Sequence, residues 1–220
     1  MYIGFIRHGE TDWARAGRLQ GREDIPLNDK GRQQIEALAR TLNGTDWGQI
    51  YCSPLSRTKE SAAIIAAALN LDPPTVLADL IERDFGQAAG LTLEERKACF
   101  PTQLYPGMES DAAVRKRVRA SLDYINQAGI FSRRRSGKSD DQPALGPPAA
   151  PSGVLVVTHG GWLHELANLY GSDHAQSWQK VRLKLAGFSL TESVNGKLNF
   201  ITFNQSAADM AASAQAKRRG

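Results

Sequence analysis

Tyr2-Ile3-Gly4-Phe5-Ile6 runs directly into Arg7-His8-Gly9-Glu10-Thr11. Four of the first five residues are bulky and apolar, and the run stops at two side chains that carry or can take positive charge. That pattern predicts a short buried strand that delivers Arg7 and His8 to its carboxyl end. In open α/β sheets, ligands bind in the crevice outside the carboxyl ends of the strands. Gly9 allows a tight turn or a close approach to the backbone. A histidine so placed can act as a nucleophile toward phosphorus, and an arginine beside it can hold oxyanions. Five residues alone favour a loop histidine beside a solvated arginine, because short motifs recur by chance. The rest of the chain decides between these readings.

Working outward, residues 12–26 look irregular. Asn28 is a good N-cap for a helix reaching about Leu42, with Ile35, Leu38, Ala39 and Leu42 on one face. A strand over 49–52 ends at Ser53-Pro54, a helix over 56–69 follows, and Pro73-Pro74 precedes a third strand over 75–78. Strand and helix in alternation predict a parallel sheet with crossover helices. Residues 93–100 suit a short helix. Residues 110–128 suit a longer one lined by Val114, Val118, Leu122 and Ile125.

Residues 129–153 differ in kind, with an arginine triplet and four prolines. This composition buries too little apolar surface to offset its ordering entropy. It is expected to be a disordered insertion rather than a domain boundary, because Val154-Leu155-Val156-Val157 resumes the sheet. A helix over 162–169 follows, and Asn195-Gly196 predicts a hairpin between strands over 188–191 and 198–203. One domain over 1–204 is expected. From Gln205 the chain is small and polar and ends in a basic tail, read as a frayed helix or as disordered.

The chain has 220 residues, 41% hydrophobic and 23% charged, with formal net charge +4. These are values of an ordinary globular domain with a substantial core. No apolar run approaches the ~20 residues of a membrane span. No signal peptide is expected, since a basic segment followed by a long apolar core is absent at the start. The two cysteines, Cys52 and Cys99, form neither a disulfide framework nor a CxxC pair, which suits a cytoplasmic protein. The excess basic residues gather in 133–138 and 217–219 rather than along one helix or strand, so nucleic-acid binding is not expected.

Three predicted strands end in matching cargo: Arg7-His8-Gly9, then Ser53-Pro54-Leu55-Ser56-Arg57-Thr58, then Thr158-His159-Gly160-Gly161. In a parallel sheet these emerge at one edge. Together with Gly17-Arg18-Leu19-Gln20-Gly21, Pro26-Leu27-Asn28 with Gly31, and Leu80-Ile81-Glu82-Arg83-Asp84-Phe85-Gly86, the ordered set resembles the histidine phosphatase superfamily, which includes cofactor-dependent phosphoglycerate mutases and many small phosphatases. The resemblance spans about 1–203 apart from the insertion. It implies a three-layer α/β/α sandwich with a mostly parallel central sheet. It also implies that His8 is the phosphorylated nucleophile, that Arg7, Arg57 and His159 hold the phosphoryl group, and that Glu82 is the acid and base. Gly9 and Gly160 would border the bound phosphate. Gln20 and Gly21 either touch it or form a turn.

The chemistry is coherent without the family. Phosphoryl transfer needs positioning and charge stabilisation above all. Two guanidiniums can neutralise a phosphate dianion, so no metal and no cofactor are expected. An alkoxide leaving group needs an acid, for which Asp84, Glu94, Glu95 and Glu109 are neighbours of Glu82 in sequence. His164 and His174 match no motif and are expected to be structural or exposed; Trp13 and Trp162 are expected in core or rim packing. The family usually has Asn where Ala14 stands here, which removes one potential donor to phosphate. The leading expectation is a metal-independent phosphatase acting on a small phosphorylated substrate. The alternatives are a phosphoglycerate mutase or a weakly active phospho-ligand-binding protein. Residues 91–107 are short, with Arg96 and Lys97 the only basic residues; so thin a cover would admit water and favour hydrolysis.

Overall fold

Alternation along β1 (Tyr2–Arg7) fixes the layers: Ile3 and Phe5 face one side of the sheet and Ile6 the other. The computed structural model describes residues 1–102, 104–135, 153–171, 181–194 and 197–219. β2 (Trp47–Cys52), β3 (Thr75–Val76), β4 (Gly153–Thr158), β5 (Phe188–Val194) and β6 (Lys197–Gln205) complete a sheet of order β3-β2-β4-β1-β5-β6. The β3-β2, β2-β4 and β4-β1 pairs are parallel; β5 pairs antiparallel with β1 and with β6. The expected mostly parallel sheet therefore carries an antiparallel hairpin on one flank. The hairpin's turn residues, Asn195 and Gly196, lie outside the described residues.

α2 (Asp29–Leu42) and α3 (Ser56–Leu69) cover one face. There Ile35, Leu38, Leu42, Ala62 and Ile65 pack on Ile6, Ile50, Leu155 and Val157. α5 (Asp111–Arg135) and α6 (Gly160–Tyr170) cover the other, where Val114, Val118, Leu122 and Trp162 meet Ile3, Phe5, Val154 and Val156. β4 is buried at every residue, as a central parallel strand covered on both faces must be. Truncating Leu38 or Leu122 to alanine would cost about 2–5 kcal/mol.

Local chemistry sets the helix starts. The Asn28 side chain accepts from Gly31 N at 2.9 Å to begin α2. A Cβ on Gly9 would lie 2.4 Å from Gly31 O, so the turn after β1 can press on α2 only through glycine. Several boundaries differ from the sequence expectation. Asp12–Arg15 forms a one-turn helix, α1, because the Thr11 hydroxyl accepts from Ala14 N at 3.1 Å. β3 keeps only Thr75 and Val76 before a 3₁₀ turn at Ala78–Leu80. The expected short helix is α4 (Leu93–Cys99), opened by a Thr92/Glu95 capping box. α5 runs on to Arg135, so 129–135 of the expected insertion are helical; 136–152 lie outside the described residues.

The segment expected to be a tail or frayed helix is α7 (Ala207–Arg219). Ser206 and Asp209 cap each other: Ser206 N donates to Asp209 Oδ2 at 2.7 Å, and Asp209 N donates to Ser206 Oγ at 3.3 Å. Met210 packs with the α2 core. The Ser-Ala-Ala-Asp signal was present in the sequence, but the apolar anchor is a single methionine.

Candidate active site

Because β2, β4 and β1 are parallel neighbours, Ser53, His159 and His8 leave the sheet side by side at its carboxyl edge. A cleft of about 790 Å³ opens there, lined by Arg7, His8, Gln20, Arg57 and Glu82 among others. The His8 and His159 rings stand 5.3 Å apart, centroid to centroid.

His8 is buried, and its Nδ1 lies 2.7 Å from Gly9 O. A carbonyl only accepts, so Nδ1 carries the ring proton and Nε2 keeps its lone pair. Burial, with Arg57 and Arg7 nearby, pushes the His8 pKa well below the ordinary histidine value, despite the Gly9 bond. The ring is therefore neutral and nucleophilic near pH 7. His159 is likewise driven well down by burial and by Arg57, His8 and Arg7. Its Nε2 lies 2.7 Å from the Ser53 hydroxyl.

The two arginines are oriented by main-chain carbonyls. Arg57, fully buried in the first turn of α3, donates from Nη1 to Glu23 O at 2.7 Å and from Nη2 to Gly21 O at 2.8 Å. Burial lowers its pKa to about 10, with Glu82 and Asp24 opposing the shift, so it stays charged. Arg7 donates from Nη1 to Leu183 O at 2.6 Å. Arg7 Nε, Arg57 Nε and His159 Nδ1 are buried without a hydrogen-bond partner. Buried polar groups are otherwise almost always paired. These three atoms belong to residues grouped at the carboxyl edge of the sheet; among the described residues Ser56 Oγ and Arg83 Nε share the condition.

Glu82 borders the cleft at the start of α6. Its Oε1 accepts from Arg83 N at 2.8 Å and Trp162 N at 3.1 Å, and its Oε2 from Gly161 N at 3.0 Å. A Cβ on Gly161 would fall 2.6 Å from Oε1, so a larger residue there would push the carboxylate from its place. Glu109, weighed as another acid, is engaged elsewhere. Although it is partly buried, Arg117 grips both its oxygens at 2.9 and 2.8 Å and lowers its pKa.

The remaining expectations divide. Gln20 borders the cleft and its amide oxygen accepts from Thr11 Oγ1 at 2.9 Å. Gly21 forms a turn at φ +54° and aims Arg57 through its carbonyl. Gly9 supports rather than borders the cleft, since its N–H donates to Ser61 Oγ at 3.3 Å. Gly160 lies against the Arg7 guanidinium, where a Cβ would be 3.4 Å from Nε. Ala14 does line the cleft. Trp162 is fully buried against Phe5, a core residue as expected. His164 was expected to be structural or exposed but lines the cleft, and burial with Arg7 nearby lowers its pKa. It sits on α6 one turn after Gly160, a helical spacing that could have flagged it. His174 lies outside the described residues. Sequence reasoning passed over the segment 182–187, whose Arg182, Leu183, Lys184 and Leu185 form one wall of the cleft. No motif marks it.

Among the described residues, no group of three or more His, Cys, Asp and Glu could hold a metal ion, and no helix is long and apolar enough to cross a membrane. Residues 3–130 match the model of the histidine phosphatase superfamily, branch 1. The chain is 34% identical over 192 residues to the uncharacterized phosphatase PhoE of Bacillus subtilis, covering 86% of this chain and 89% of that protein. It is 30% identical over 165 residues to a metal-independent phosphoserine phosphatase of Arabidopsis thaliana, covering 74% of this chain and 66% of that one. In fold it is similar to a mycobacterial glucosyl-3-phosphoglycerate phosphatase solved with VO3, with TM-score 0.75, 24% identity, and coverage of 93% of this chain and 99% of that one. The chain belongs to the histidine phosphatase superfamily and is an enzyme of phosphatase type.

Proposed function

We propose that this chain hydrolyses small phosphomonoesters without a metal, through a phosphohistidine at His8. The observation that carries the reading is His8, its Nδ1 2.7 Å from Gly9 O and its pKa driven well down by burial and by Arg57 and Arg7, beside two guanidiniums whose buried Nε atoms have no hydrogen-bond partner.

The phosphoryl oxygens accept hydrogen bonds from Arg7, Arg57 and His159, giving those donors the acceptors they lack, and the two guanidiniums neutralise the dianion. His8 Nε2 attacks phosphorus in line; the P–N bond forms as the ester P–O bond breaks. Glu82 gives its proton to the leaving oxygen, which departs as an alcohol. In the second half, Glu82 takes a proton from water, the water oxygen bonds to phosphorus, and the P–N bond breaks to release phosphate and neutral His8. The single seven-residue helix α4 in 91–107 is a light cover, which favours water over a second hydroxyl of the substrate and so hydrolysis over mutase chemistry.

Rapid-quench kinetics with a labelled phosphate ester test the reading. Wild type should accumulate an acid-labile, base-stable phosphoenzyme. His8→Ala should lose both that species and turnover, a fall of at least about 10⁴-fold. Labelled phosphate persisting on His8→Ala, or loss of wild-type activity with a chelator, would overturn it.

A further inference from the structure

Segment 182–187 crosses the carboxyl end of β1 and holds it at three points. Arg7 N donates to Gly187 O at 3.0 Å, Ala186 N donates to His8 O at 3.1 Å, and Arg7 Nη1 donates to Leu183 O at 2.6 Å. One side chain brackets Leu183 within the segment. Asn204 Oδ1 accepts from Lys184 N at 2.7 Å and Asn204 Nδ2 donates to Arg182 O at 3.2 Å, bracketing Leu183.

The placement of Asn204 is built. Between the Phe188–Gln205 and Leu190–Thr202 pairs, two steps along β5 match three along β6, so β6 carries an extra residue there. Asn204 takes it up with φ +55°, a left-handed conformation that asparagine tolerates better than most residues. Bulges of this kind re-aim a side chain. Asn204 is buried, and its N–H donates to Ser189 Oγ at 2.9 Å. Gly187 completes the fit, since a Cβ there would fall 2.9 Å from Asn204 Oδ1.

We propose that Asn204 is a positioning residue for Arg7: through segment 182–187 it holds the Leu183 carbonyl where it orients the guanidinium for the transferring phosphoryl group. This rests on the role proposed above for Arg7. A guanidinium misplaced by about 1 Å can cost up to about 10²-fold in rate.

The test is a double-mutant cycle with Asn204→Gly and Arg7→Lys. Glycine accepts the left-handed backbone, so the substitution removes the bracket without adding strain. Arg7→Lys keeps the charge but cannot hold the substrate and Leu183 O together in the same way. In wild type, Asn204→Gly should lower kcat/KM for an aryl phosphate about tenfold and weaken vanadate inhibition in parallel. In the Arg7→Lys background it should change both less than about twofold, because coupled residues are non-additive. Equal losses in both backgrounds, or no loss in wild type, overturn the proposal while leaving the phosphohistidine reading intact. Full activity of Arg7→Lys alone would remove the clamp role of Arg7 and the proposal with it. If Asn204→Gly fails to fold, Asn204→Asp runs the same cycle: it keeps the acceptor for Lys184 N and loses the donor to Arg182 O. A loss of about threefold confined to the Arg7 background supports the proposal, and an additive loss overturns it.

Discussion

The floor and the walls of the cleft are made in different ways. The floor consists of His8, Arg7 and Arg57, with His159 buried beside His8, each at or just beyond the end of a parallel strand or in the first turn of the helix that follows. Three of these side chains are held by main-chain atoms, Gly9 O for His8, Gly21 O and Glu23 O for Arg57 and Leu183 O for Arg7, while His159 meets the Ser53 hydroxyl. The walls come from α4, α6 and segment 182–187, which lie far apart in the chain. A floor fixed by strand order tolerates little change, whereas walls of this kind can vary with the substrate.

That contrast breaks first at Arg57. Arg57→Ala should lower kcat/KM by about 10³-fold, because a buried donor to the transferring group is lost. A loss below tenfold in steady-state assays would mean that Arg57 serves the fold alone.

The next effect follows pH and belongs to the floor. His8 and His159 have folded pKa values well below 6.5, whereas in the unfolded chain they protonate near 6.5. The unfolded state therefore binds more protons as pH falls below about 6.5, and stability present above that pH is lost on acidification. Two histidines give a slope of up to about 2.7 kcal/mol per pH unit. Denaturant unfolding at pH 7.5, 6.5 and 5.5 should show it, and His159→Gln should roughly halve the slope.

Ser53→Ala should be milder. It leaves His159 Nε2 without its hydroxyl partner, and kcat should fall about tenfold with the fold retained by circular dichroism. A change in KM alone would place Ser53 outside the orientation of His159.

The smallest effect is expected for residues 136–152. Replacing 136–152 with a short Gly/Ser linker should leave turnover of an aryl phosphate within about twofold, since that composition opposes packing. The cut spares 129–135 and Gly153, which belong to α5 and β4. Loss of activity with an unchanged melting temperature would assign the segment to the site.

The same division explains what could be read from the chain. β1 and β4 announce themselves as apolar runs, and their cargo follows within two residues, so the floor was legible. Arg57 was legible because Pro54 ends β2 and α3 begins at once. The walls were not. His164 looked like any helical histidine, and Asn204 like any strand asparagine, since register shifts carry no local signature. The grip of Arg117 on Glu109 joins residues eight apart across the start of α5, where spacing alone suggests surface. α7 was under-read because its single apolar anchor, Met210, gives no periodicity.

The anchoring of Glu82 has a consequence for how such a protein can decay. Its carboxylate accepts from three backbone N–H groups and closes the start of α6. Removing it leaves those donors, one buried and two partly buried, unanswered, at up to about 1–3 kcal/mol each. His8 makes one bond to its neighbour's carbonyl. A descendant that keeps phosphate recognition but abandons turnover therefore has an easier path through loss of the nucleophile than through loss of the acid. Drift toward a silent, ligand-holding pseudoenzyme should erase position 8 first and leave position 82 standing.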